Sequence, residues 1–202
     1  MRSRTVVAAL AGVALLLVGG CADGAEDAAP AAPSTQQEPG KHDMPPPVEV
    51  IADDPSAPVT LTIGDESAPT DPVATDTAGV LLPPQDVGRL GWWADSSPPG
   101  SGAGSIVVTG HVDDVAQGDG FATRFADLSE GDEVALSLND GSARKYRVDR
   151  LLSVGKDGDL PLDELNRLDG PETLVLVTCG GEFVGPPLGY ADNDFVFASP
   201  LA

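Results

Sequence analysis

The sequence predicts a mainly β fold, a barrel or sandwich of short strands with one or two short helices, preceded by a leader and a disordered tether. Three observations carry this. From Pro58 onward turn residues recur about every ten residues. The segments between them either alternate apolar and polar or run continuously apolar, as half-buried and fully buried strands do. Only two stretches, Phe121–Leu128 and Leu160–Leu168, carry helical spacing, and both are short.

The elements follow in order. Arg2 and Arg4 precede a small-apolar run from Thr5 to Val18, then Gly19-Gly20-Cys21, which describes a secretory leader over residues 1–20. The run falls short of the ~20 apolar residues that span a bilayer comfortably. A cysteine directly after two glycines is similar to the lipobox of bacterial lipoproteins, in which the thiol becomes a diacylglyceryl thioether, so Cys21 is a candidate lipid anchor. An ordinary cleaved leader with an adjacent cysteine is the alternative. Residues 21–56 are Ala, Pro and acidic residues, with Pro45-Pro46-Pro47 and no apolar period, and read as a disordered tether. His42 falls in it and is taken as solvated.

The folded domain is expected over residues 57–202. Val59–Ile63 alternates, Val80-Leu81-Leu82 is a short apolar run, and Ser105–Thr109 is continuous and β-branched. Glu133–Leu138 and Ala143–Leu152 alternate around Asn139-Asp140-Gly141-Ser142, a hairpin pattern. Thr173–Thr178 is a continuous apolar run that Cys179-Gly180-Gly181 is expected to stop, and Asp194–Ala198 closes the chain.

Thirty-two acidic residues against eleven basic ones give a net charge of −21. A chain so acidic lacks the basic face that displaces counterions from nucleic-acid phosphates. Electrostatic attachment to anionic lipid fails for the same Coulombic reason.

Chemistry is concentrated at two strand ends. His111 follows the 105–110 strand and Cys179 follows the 173–178 strand, positions where a side chain is exposed yet held by a rigid wall. With Cys21 lipidated, Cys179 is a lone thiol in an exported protein. A free thiol is only a few per cent thiolate at neutral pH, so a nucleophilic cysteine wants a cationic neighbour, and His111 is the only histidine of the folded part. A buried inert cysteine beside an unrelated histidine is the plain alternative.

At these residues the chain resembles the sortases, cysteine transpeptidases of Gram-positive cell surfaces, and in particular the class F (actinobacterial) group. The resemblance runs from about Pro58 to Ala198. It rests on Gly91-Trp92-Trp93, on Ser105–Asp113 with its Thr109-Gly110-His111, on Phe121–Leu128, on Leu176-Val177-Thr178-Cys179-Gly180-Gly181 and on Tyr190-Ala191-Asp192-Asn193. It implies a closed eight-stranded β-barrel with His111 and Cys179 as catalytic residues across a groove, Thr178 and Trp93 lining that groove for substrate, and no cofactor. It also implies partners: protein substrates with a Leu-Pro-x-Thr-Gly-like sorting signal, and an amine acceptor or water. With the lipobox, the domain is expected on the outer face of the cell membrane.

One feature of that family is absent. Sortases place an arginine on the strand after the cysteine, but nothing basic follows Arg167. Arg89 or Arg124 reaching the groove, backbone N–H groups at Gly180-Gly181, or a sortase relative acting as a binding module are the openings this leaves. Asp113, Asp114 and Asp119 are hard oxygen ligands of the Ca²⁺ type, but acidic clusters are common in so charged a chain, and no metal is assigned.

Overall fold

Alternation and β-branching become strands where the sequence places them, and the ladder extends further than the pattern. The computed structural model describes residues 45–201; the leader, Cys21, His42 and most of the expected tether lie outside the described residues. The strands are β1 (Val48–Glu49), β2 (Pro58–Ile63), β3 (Glu66–Ala74), β4 (Leu90–Trp93), β5 (Ser105–Thr109), β6 (Asp113–Asp114), β7 (Gly118–Asp119), β8 (Glu133–Leu138), β9 (Ala143–Gly155), β10 (Thr173–Gly185) and β11 (Gly189–Pro200). Two short helices join them, α1 (Thr123–Ala126) and α2 (Leu162–Leu165). No helix among the described residues is long and apolar enough to cross a membrane.

Eight strands close on themselves in the order β3-β2-β8-β9-β11-β10-β5-β4, and the parallel β3–β4 pairing completes the ring. The barrel is therefore mainly β and eight-stranded, as expected. Closure removes the exposed sheet edges that an open sheet would present. Two-residue periodicity then sorts the side chains. Ile106, Val108, Leu174, Leu176, Leu136 and Val196 point inward and are at most 1% exposed. On the outer wall Val175, Phe195 and Phe197 form a second buried cluster with Leu152, Val154 and Leu165. The Arg150 guanidinium lies 3.9 Å from the Phe197 ring centroid and pairs with Glu164 at 2.7 Å, which fastens α2 over that cluster.

Several expectations shift. Val80–Leu82 contributes only an isolated bridge, Thr75 to Leu81. The two helical stretches shrink to single turns. β10 is not stopped at Cys179 but continues to Gly185 through register shifts between Gly180 and Gly185. β1, inside the expected tether, pairs with β3 through Val48–Ala74 and Glu49–Val73. An extended segment can join an existing strand by main-chain hydrogen bonds alone, so β1 needs no apolar period of its own.

A buried carboxylate anchors the entry to β10. Glu172, 5% exposed, accepts hydrogen bonds from the Tyr146 hydroxyl (2.8 Å), the Gly100 N–H (3.1 Å) and the Gly102 N–H (2.6 Å). Burial and this carboxylate together push the Tyr146 phenol above its ordinary range. Glu172→Ala strands these donors and is expected to destabilise the domain by about 3 kcal/mol. Chemical denaturation checks this: the midpoint should fall with an unchanged slope.

Candidate active site

β5 and β10 lie side by side and parallel, with Thr109 opposite Val177. His111 and Cys179 each stand two residues beyond that pair. Period two puts the Cys179 side chain on the outer face of the barrel wall, as for Val177, while His111 follows in the loop beyond the end of the neighbouring β5. Two bonds fix the exit of β5 against β10: the Gly110 N–H donates to the Val177 carbonyl at 3.1 Å, and the Thr178 hydroxyl to the Gly110 carbonyl at 2.9 Å. Gly110 must be glycine for close packing, since a Cβ there would sit 2.5 Å from Leu90 and 2.7 Å from Ala122. Gly180 is similarly constrained, because the Asp194 carboxylate fills the space its Cβ would need.

Both residues open on one cavity of about 400 Å³. Asp113 and Asp114 border it beside His111, and Phe183, Pro186, Leu188 and Tyr190 form an apolar lip from the β10–β11 hairpin. Phe183 meets Tyr190 edge-on with ring centroids 5.4 Å apart. The Tyr190 hydroxyl donates to Asp113 at 2.7 Å, tying the hairpin to the loop after His111. That bond, with burial and the Asp113 charge, leaves the Tyr190 phenol pushed up to about 12. Pro45, within the expected tether, also lines the cavity.

His111 is half-buried, and its Nε2 is buried without a hydrogen-bond partner among the described residues. Burial lowers its pKa below the ordinary 6.5, against the opposing pull of Asp114 and Asp113. The folded imidazole thus holds its proton less tightly than the unfolded one. Between the folded pKa and 6.5 the unfolded chain binds more protons, so this residue makes stability fall as pH drops through that window. His111→Gln is expected to flatten this limb, which denaturation midpoints measured from pH about 5 to about 8 would reveal.

The other sequence-predicted residues lie elsewhere. Thr178 is 3% exposed and faces the barrel interior, where it clamps β5 rather than lining the cavity. Trp93 does not line it either. The β4–β5 register, Gly91 to Thr109 and Trp92 to Val108, carries Trp93 toward the level of Val107, about four residues back from His111. Arg89 is paired with Asp71 and Arg124 with Glu66, and neither borders the cavity. Directly across β11 from Cys179 stands Asn193, not a cation. Among the described residues the one lysine or arginine lining the cavity is Lys156, whose Nζ donates to the Leu188 carbonyl at 2.9 Å. Nothing local in the sequence marks Lys156 or the Tyr190–Asp113 pair, since the order β9-β11-β10 is a property of the whole sheet.

A family model for the sortase domain matches residues 59–201, the stretch that carries His111 and the free Cys179. The chain belongs to the sortase family. Among solved structures, this sortase domain is similar to sortase A of Corynebacterium diphtheriae, at 24% identity over 72% of this chain and 61% of that one, with TM-score 0.52. It is also similar to sortase C-1 of Actinomyces oris, at 20% identity over 71% and 72% of the two chains and TM-score 0.54. A third is Streptococcus agalactiae sortase C1 in its complex with MTSET, at 18% identity over 71% and 68%, TM-score 0.53. These likenesses concern the fold. The chain spans about two thirds of the length of these sortases. A search of curated proteins finds no match.

Proposed function

We propose that this sortase is a cell-surface cysteine transpeptidase of the class F type that cleaves a Leu-Pro-x-Thr-Gly-like sorting signal. The observation that carries this reading is that Cys179, on β10, and His111, just beyond the end of the neighbouring β5, open on one cavity. The Cys179 thiolate attacks the scissile carbonyl, forming a C–S bond and a tetrahedral oxyanion. The C–N bond then breaks, the departing amine takes a proton from imidazolium His111, and a thioester remains. An incoming amine, or water, attacks the thioester and returns a proton to His111, which releases the thiol. Covalent catalysis of this kind divides one difficult acyl transfer into two easier ones. Burial favours the neutral imidazole of His111. No cofactor is required. We further propose export by the 1–20 leader and lipid anchoring through Cys21 on the outer face of the membrane, on the strength of the lipobox-like Gly19-Gly20-Cys21.

The test is ligation. The purified domain is incubated with sorting-signal peptides and a glycine-based amine, and products are read by mass spectrometry. Ligated or hydrolysed peptide supports the transpeptidase. Peptide that binds and returns intact supports the second reading, a sortase-fold binding module, which Asn193 opposite the thiol favours because no guanidinium faces the developing oxyanion.

A further inference from the structure

We propose that Lys156 supplies the positive potential of the groove and draws anionic groups, such as a substrate carboxylate next to the scissile bond, toward Cys179. The register places it. Cys179, Asn193 and Val154 form one row across β10, β11 and β9. The Lys156 N–H donates to the Ala191 carbonyl at 2.9 Å, which continues the β9–β11 ladder one step beyond Gly155. Lys156 thus follows Val154 by two and falls on the face that carries the thiol. It borders the same cavity as Cys179 and His111.

The surroundings give that charge weight. Asp113 and Asp114 also border the cavity, with an apolar hairpin lip. Lys156 is the one lysine or arginine in this lining, in a chain of net charge −21. Its Nζ carries three donors, and one engages Leu188. That bond holds the ammonium at the hairpin rim, with further donors for an entering carboxylate. Lys156 thus sets a cationic group at the hairpin rim of a groove whose other charged residues are Asp113 and Asp114.

The proposal rests on Cys179 as the groove's nucleophile, yet its test needs no peptide turnover. Two alkylating probes of similar size report on it: iodoacetate, which is anionic, and iodoacetamide, which is neutral. In each case the thiolate forms a C–S bond and iodide leaves with the C–I electron pair. The ratio of the iodoacetate rate to the iodoacetamide rate is measured at low salt. It is expected to fall about threefold in Lys156→Gln and about tenfold in Lys156→Glu, and to hold in Lys156→Arg. The differences are expected to shrink near 1 M salt, where screening shortens the reach of a charge to about 3 Å. A ratio unmoved by Lys156→Gln and Lys156→Glu overturns the proposal. So does a ratio that falls equally in Lys156→Arg, since charge would then not be the cause. A charge-sensitive ratio without peptide ligation leaves the Lys156 assignment standing and removes only the transpeptidase reading; ligation with a charge-insensitive ratio does the opposite.

Discussion

Cys179→Ala is expected to abolish acyl transfer, lowering turnover of a sorting-signal peptide by roughly 10⁴ to 10⁶, to the background of the uncatalysed reaction. The magnitude follows from the role: without the sulfur there is no thioester, and binding in the groove alone accelerates little. The fold should be indifferent. Cys179 is half-buried on the outer wall, makes no disulfide, and contributes to neither apolar cluster. A surface truncation of this kind costs within about 0.5 kcal/mol. Peptide assays and a thermal melt on the same preparation therefore separate chemistry from folding. Lost turnover with an unchanged melt is the expected pair of results.

His111→Gln is the second large effect, a loss of roughly 10² to 10⁴ in turnover, the usual contribution of a positioned acid or base. Glutamine retains a side-chain donor and acceptor but cannot carry a proton from the thiol to the departing amine. The wild-type rate should depend on pH through the imidazole, whose pKa lies below 6.5 because burial outweighs Asp114 and Asp113. That limb of the pH–rate profile should vanish in the variant. A profile that keeps the same limb would assign it to another group.

The strands were legible because their burial is regular. Ser105–Thr109 and Thr173–Thr178 read as continuous apolar runs and form the adjacent parallel pair at the centre of the site. Their neighbourhood was not legible from periodicity, because which strands pair is a property of the whole ring. β3 carries Pro69 and Pro72, which remove ladder donors, and its pattern does not read as a strand. The hairpin beyond Cys179 has a different cause. Gly180 and Gly181 look like a stop, yet they serve as close-contact positions for Asp194 and Asp192, and the ladder runs on to Gly185.

Within the candidate site, His111 and Cys179 stand out in the sequence because they are chemically singular: one imidazole and one thiol in the folded part. Thr178 is adjacent to Cys179 in sequence, but a residue next to Cys179 in a strand faces the opposite side, so period two directs it inward. The level of Trp93 depends on the β4–β5 register, which the sequence does not carry. Lys156 lies 23 positions before Cys179, just beyond the end of β9, which β11 separates from β10, and only the order β9-β11-β10 brings it to the groove.

The central claim is that Cys179 and His111 act on one acyl group in one groove, and intact-mass and peptide-mapping spectrometry of the domain quenched in acid during reaction with a sorting-signal peptide tests it most directly. The account predicts a mass increase equal to the acyl portion of the peptide, located on Cys179, hydroxylamine-labile as a thioester is, and strongly reduced in His111→Gln. An adduct on another residue, or peptide cleavage with Cys179 unmodified throughout the time course and unaffected by Cys179→Ala, would contradict it.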